Sequence, residues 1–166
     1  MDAIAPIVVG NDGSDFAQVA LAKALWLASK LGAPVRVIRA WSLSNAPRPA
    51  TWTPGYVPPP EDFAAAVLSD LQGDVAAKLA QYPDVQVSLE TPHGAAGREL
   101  VRASEGAQIV VVGTRGLGGF KGLLLGSVSD QVVEHASCDV LVVRKATGDP
   151  APGRTRPVDQ ALEPHA

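Results

Sequence analysis

The residues best suited to chemistry lie in one stretch, Gly113-Thr114-Arg115-Gly116-Leu117-Gly118-Gly119-Phe120-Lys121-Gly122-Leu123-Leu124-Leu125-Gly126-Ser127-Val128-Ser129. Five glycines fall between Gly113 and Gly122, and a sixth, Gly126, precedes an expected helix. Glycine tolerates positive φ and lets a backbone approach a ligand with no Cβ in the way. Successive N–H groups in such a loop make an anion nest, to which a following helix adds its positive end. Ser127 and Ser129 add hydroxyl donors, and Arg115 and Lys121 add positive charge. The chemistry expected of this pattern is the cradling of phosphate. The same residues also fit a flexible loop in which Ser127 simply caps a helix.

Spacing separates this loop from the common nucleotide fingerprints. The pattern G-x-x-x-x-G-K-[ST] is absent, because Lys121 follows Phe120 and precedes Gly122. A dinucleotide-type G-x-G-x-x-G fails after the first apolar run, where the chain reads Gly10-Asn11-Asp12-Gly13-Ser14. No G-x-S-x-G elbow occurs, which argues against a hydrolase of that class.

The elements that must position the loop follow from periodicity. The chain has 166 residues, 46% hydrophobic and 19% charged, with a net charge of −3. That is about one domain's worth of sequence with enough apolar surface for a core. The mild acidity argues against nucleic acid, which calls for a basic stripe. No apolar run reaches the roughly 20 residues of a membrane span, so no membrane partner is expected. Met1 to Gly10 has no basic n-region of a secretory signal, and the single cysteine, Cys138, leaves no internal disulfide. A cytoplasmic protein is expected.

Apolar runs at Ile7–Val9, Val35–Ala40, Val85–Leu89, Ile109–Val112 and Val140–Val143 read as strands. Between them, Ala20, Ala24, Leu27 and Leu31 mark one helix face, with Ser14 as N-cap and Gly32 and Pro34 as stops. Val67, Leu71, Val75 and Leu79 mark a second helix, with Gly73 as a weak point; further helices are expected over about 95–104 and 127–136. Strictly alternating β and α elements predict an α/β, doubly wound, five-stranded parallel sheet with helices on both faces. Ligands of such sheets sit beyond the carboxyl ends of the strands, where strand order reverses. The loops after strands one and four are therefore the ones to inspect. Six of the fourteen prolines lie between Pro47 and Pro60, so a long loop over about 45–60 is expected to be inserted in a domain spanning 1–145. Residues 146–166, with four prolines and few large apolar side chains, read as a disordered tail.

The spacing Gly113, two residues, Gly116, nine residues, Gly126, then Ser127 resembles the signature G-2x-G-9x-G-[ST] of the ATP-binding branch of the universal stress protein family. Ile7 to Ser14 resembles that family's opening strand and its aspartate, and Cys138 to Arg144 its last strand. The resemblance covers roughly Ile7 to Arg144 and implies strand order 3-2-1-4-5. It implies that Gly113, Thr114, Arg115, Gly116, Leu117, Gly118 and Gly119, with Gly126, Ser127, Val128 and Ser129, hold phosphates and ribose. Asp12 would contact the adenosine end, with Gly10 and Asn11 shaping its loop. Ala40 would meet the adenine edge through its backbone, and Val112 would flank base or ribose. Asp139 departs from the family's common proline before the last strand, and the proline loop after Trp41 is unusually rich. The last strand, Val140 to Val143, would leave an exposed apolar edge, and both that edge and the resemblance imply a homodimer through it.

Other residues carry weaker signals. His93, His135 and His165 match no metal spacing, and His135 suits a helix C-terminus electrostatically. Cys138 reads as a small packed residue beside Asp139 rather than a reactive thiolate. Trp41, Trp52 and Tyr56 fit either a lid over a base or packing on the domain. No base poised by a second residue and no metal-binding carboxylate pair is evident, so any hydrolysis is expected to be slow. Mg2+ would ride on the phosphates, without a protein metal site. The expected function is an ATP-binding stress protein acting as a nucleotide-dependent switch. The alternatives are a slow ATPase of the adenine-nucleotide-binding α/β type and a dimeric scaffold that binds no nucleotide.

Overall fold

Short β-branched runs form the strands, and alanine-rich amphipathic segments cover them. In the computed structural model, which describes residues 4–117, 122 and 124–145, the order is β1 (Ile7–Gly10), α1 (Asp15–Leu31), β2 (Val35–Ile38), α2 (Pro60–Leu79), β3 (Val87–Glu90), α3 (Ala96–Ser104), β4 (Ile109–Gly113), α4 (Ser127–His135) and β5 (Asp139–Val143). The five strands form one parallel sheet in the order β3-β2-β1-β4-β5. The expected tail over 146–166 lies outside the described residues.

Alternation along each strand divides the core in two. Ile7, Val9, Val35, Val37 and Val111 face α1 and α2. Val8, Ile38, Val110 and Val112 face Leu100 and Ala103 of α3 and Val132 of α4. On this second side the helices lie over β1, β4 and β5. Beyond them, β2 and β3 carry Arg36, Ser88 and Glu90, which suit a face no helix needs to bury. Arg36 donates to both Glu90 oxygens, Nε at 2.7 Å and Nη2 at 2.9 Å.

Local signals explain the element ends. Ser14 Oγ accepts from Ala17 N at 3.2 Å and starts α1, and Gly32, in the left-handed conformation at φ 65°, ends it. The expected face of α1 is largely the buried one: Ala20 and Ala24 are buried together with Ala17, Leu21, Leu25 and Ala28, Leu27 is half-buried against the same core, and Leu31 is exposed. Alanines let this helix lie close against β1 and β4, and Leu31 belongs to the last turn beside the cap. Helix α2 buries Phe63, Val67, Leu71 and Val75 and runs through Gly73 without interruption. Pro60 stands at its first position, where the missing N–H costs nothing. Trp41 packs on the domain: its ring stacks on Phe63 with centroids 6.5 Å apart, and Nε1 donates to Thr91 O at 2.9 Å. Trp52 and Tyr56 are exposed around the turn at Gly55.

Gly113 ends β4 where α1 begins to cross it. A Cβ there would sit 2.8 Å from the carbonyl oxygen of Phe16 and 2.9 Å from its carbon. These are backbone atoms of the first turn of α1, which cannot swing aside as a side chain would. Gly113→Ala should therefore destabilise the fold by about 1–3 kcal/mol, the usual cost of overpacking; urea unfolding with an unchanged midpoint would contradict this. A second expectation concerns acid. The Arg36 guanidinium holds the Glu90 carboxyl below its ordinary value, against an opposing effect of partial burial. A depressed carboxyl contributes stability above its unfolded pKa and loses it as pH falls through the folded value. The stability difference between wild type and Glu90→Gln should thus be present at neutral pH and shrink in acid; a difference independent of pH would contradict it.

Candidate functional site

Strand order reverses between β1 and β4. From β1 the chain turns through α1 to β2 on one side, and from β4 through α4 to β5 on the other. The two loops diverge and leave a crevice beyond the carboxyl ends of the central strands. A cavity of about 550 Å3 occupies it, a size within the roughly 300–1,000 Å3 usual for small-molecule sites.

The first loop is built from two overlapping side-chain turns. Asn11 is buried; its N donates to Ile38 O at 2.9 Å, and its Oδ1 accepts from Gly13 N at 3.0 Å. Asp12 Oδ1 accepts from Ser14 N at 3.0 Å. The other Asp12 oxygen, Oδ2, accepts from Leu117 N at 2.9 Å and so ties the loop after β1 to the loop after β4. Gly116 is required beside this bond, since a Cβ there would run into the Asp12 carboxylate.

The second loop is closed at its base. Thr114 N donates to Val143 O at 3.1 Å, and Gly126 N donates to Thr114 O at 2.7 Å. Ser129 Oγ, buried, donates to Gly113 O at 2.6 Å and pins the start of α4 to the end of β4. Ser127 does not cap α4. Gly126 occupies the N-cap with no side-chain cap bond, and Ser127 is the first helical residue. The N–H groups of Ser127, Val128 and Ser129 therefore have no intrahelical acceptor, and all three residues line the cavity.

These parts divide the cavity chemically. Ile38, Leu100, Val112 and Val128 give it an apolar floor, and Ala17, Ala40 and Ala96 leave room above. At the α4 end, backbone N–H groups, the helix dipole and Arg115 favour an anion. At the Asp12 end, a carboxylate offers acceptors suited to hydroxyl donors. A flat apolar group, a hydroxyl-bearing linker and an anion, in one molecule, would satisfy all three regions.

Most of the residues singled out by sequence meet here. Gly10, Asn11 and Asp12 come from the first loop, and Ala40 from beyond β2. Val112, Gly113, Arg115, Gly116 and Leu117 come from β4 and its loop, and Gly126, Ser127, Val128 and Ser129 from the start of α4. Thr114 does not line the cavity; both its backbone groups are spent closing the loop. Gly118, Gly119 and Lys121 lie outside the described residues. Strand β2 ends at Ile38 rather than Ala40, which frees Ala40 to line the opening. Sequence reasoning missed Ile38, Leu100, Ala17 and Ala96 because they read as ordinary core-facing positions, and only the ends of their elements make them floor and wall. Asn45 and Leu125 also line the cavity, and no spacing pointed to them.

The remaining titratable residues fall elsewhere. His93 packs edge-on against Trp41 at 4.7 Å, and His135 is exposed in the last turn of α4. Partial burial, then the charge of Asp139, pushes the Cys138 thiol up, against a backbone hydrogen bond, which disfavours a thiolate. Among the described residues no three His, Cys, Asp or Glu side chains are grouped to hold a metal ion, and no helix is long and apolar enough to cross a membrane.

Comparison with known proteins accords with this architecture. Universal stress protein Rv2005c of Mycobacterium tuberculosis is 38% identical over 146 residues, covering 86% of this chain and 46% of that protein. Universal stress protein Rv2623 of the same organism is 34% identical over 142 residues, again with 86% and 46% covered. The chain thus spans about half the length of these curated relatives. Among solved structures, the universal stress protein UspA from Lactobacillus plantarum matches with a TM-score of 0.67 at 21% identity, covering 87% of this chain and all of that one, 100%. A universal stress protein in complex with cAMP matches at 0.60 and 24% identity, covering 86% and 98%. One from Archaeoglobus fulgidus in complex with dAMP matches at 0.56 and 21%, covering 85% and 98%. At these identities the structural likeness speaks for the fold. The universal stress protein family model matches residues 4–144, and the chain belongs to that family.

Proposed function

We propose that this protein binds ATP in the crevice between β1 and β4 and acts as a nucleotide-dependent switch in a stress response, with slow hydrolysis or none. The observation that carries the reading is the division of one cavity into an apolar floor, a carboxylate and an uncapped helix N-terminus. Adenine suits the floor beside Val112 and the Ala40 backbone, and ribose hydroxyls suit Asp12. The phosphates suit the glycine loop and the N–H groups of Ser127 to Ser129, with Gly118 and Gly119 assigned by the family resemblance alone. Support also comes from the two structural relatives in complex with cAMP and dAMP, since both ligands are adenine nucleotides. Mg2+ in this reading travels with the phosphates.

Titration calorimetry tests it. Wild type should bind ATP with a dissociation constant of about micromolar order. Asp12→Asn keeps an acceptor for Ser14 N but loses the charge, and should bind about tenfold more weakly, the worth of one charge-assisted hydrogen bond. Thermal unfolding of the variant should stay cooperative. A wild type that ignores ATP, or equal affinity in the folded variant, would overturn the reading and favour a scaffold.

The same proposal includes a homodimer. Among the described residues strand β5 is the outermost strand, paired to β4 on one side only, and Val140, Leu141 and Val142 are half-buried. An unprotected apolar edge invites a second chain. Sedimentation equilibrium at micromolar concentration should give the mass of two chains, and Leu141→Lys should lower it to one; a wild-type mass of one chain would count against the dimer.

A further inference from the structure

The contacts behind the first loop point to a pair of residues that no spacing in the sequence singles out. Arg39 follows β2 directly, and its side chain is only 13% exposed. Its Nε donates to Asn11 O at 2.9 Å and its Nη2 to Asn11 Oδ1 at 2.5 Å, so the guanidinium grips Asn11 by backbone and side chain together. The same Nη2 donates to Asp74 Oδ2 of α2 at 2.7 Å. Gln18 Nε2 of α1 donates to the Asp74 carbonyl at 3.1 Å, which fixes α2 at this point. Gly13, at φ 85°, turns the loop directly over the pair: a Cβ there would lie 3.1 Å from Asp74 Oδ2.

The grip decides how the Asn11 amide faces. Oδ1 takes two donors, Gly13 N and Arg39 Nη2, so reversing the amide would set N–H groups against N–H groups. The cost is visible: Asn11 Nδ2 is buried with no partner among the described residues. With Gly13 N on Oδ1 and Arg39 on both the Oδ1 and the carbonyl oxygen, the guanidinium is placed to hold this turn from behind. Asp12 is the next residue, and its Oδ2 holds Leu117 N across the mouth of the site.

We infer that Arg39, buttressed by Asp74, is a positioning residue that holds the Asn11–Asp12 turn so that the Asp12 carboxylate bridges the two loops of the nucleotide site. The inference deepens the ATP-binding reading and rests on it for its functional consequence. Arg39 does not line the cavity, so it acts through Asp12 rather than by touching a ligand. Residues of this kind, which orient the groups that do touch a ligand, carry about 10–100-fold effects at metal sites, and a similar scale is expected here.

The test combines an affinity with a ligand-free readout. Arg39→Met should weaken ATP binding about tenfold by calorimetry, and Arg39→Lys should recover little, because an ammonium cannot grip two Asn11 atoms from one plane. In the Asp12→Asn background, Arg39→Met should add almost nothing, as effects routed through one group are not additive. Without nucleotide, exchange of the Leu117 amide should speed up in Arg39→Met. Asp74→Asn, at a half-exposed carboxylate, is the gentler variant and should shift both readouts the same way. Full ATP affinity in a folded Arg39→Met, losses that simply add, or unchanged Leu117 exchange in both variants would overturn the inference. A wild type that binds no ATP, with faster Leu117 exchange in the variants, would instead overturn only the functional reading.

Discussion

The structure depends on one topological constraint: β1 and β4 are parallel neighbours whose chains leave in opposite directions. Right-handed crossovers then send α1 and α2 to one face and α3 and α4 to the other. Among the described residues no helix or strand covers the carboxyl ends of these two strands, because the loops that follow them turn apart. The crevice is therefore a consequence of strand order, and the residues at its edge are those at which β1, β2 and β4 end. The close approach of α1 to Gly113 and of Leu100 to Gly10 follows from the same geometry.

What joins the separated loops is electrostatic. Asp12 accepts from Leu117 N on the far loop and from Ser14 N on its own, while Gly126, lacking a side chain, leaves the α4 terminus open. The two helices that begin beside the cavity differ in this respect. Helix α1 is capped by Ser14 Oγ, whereas α4 has no side-chain cap among the described residues, and its first N–H groups border the cavity. A fold built for stability alone would cap both. Behind the wall, the chain from Asp74 through Arg39 to Asn11 ties α2 to the site.

Much of this was legible in the sequence. Alternating runs gave the α/β class, and the order of strands followed from the family resemblance carried by Gly113, Gly116, Gly126 and Ser127. Of the face expected for α1, Ala20 and Ala24 are buried and Leu27 packs half-buried on the core, while Leu31 falls in the last turn and is exposed. The Ser127 cap was an open alternative in the sequence because a serine at the head of a helix fits the cap or the first turn equally, and only the backbone angles separate them. Ile38 and Leu100 look like any core residue until the ends of their elements are known. Arg39 gave no signal, since a lone arginine after a strand is ordinary and its partners Asn11 and Asp74 are distant in sequence.

We propose that one molecule carrying base, ribose and phosphate fills the crevice between β1 and β4. Amide chemical-shift mapping by NMR during an ATP titration tests occupancy and place together. Saturable shifts are expected at Asn11, Asp12, Ala40, Leu117 and Ser127 to Ser129, with the Trp52–Tyr56 turn unmoved. No shifts at saturating ATP, or shifts concentrated away from the two loops, would contradict the proposal.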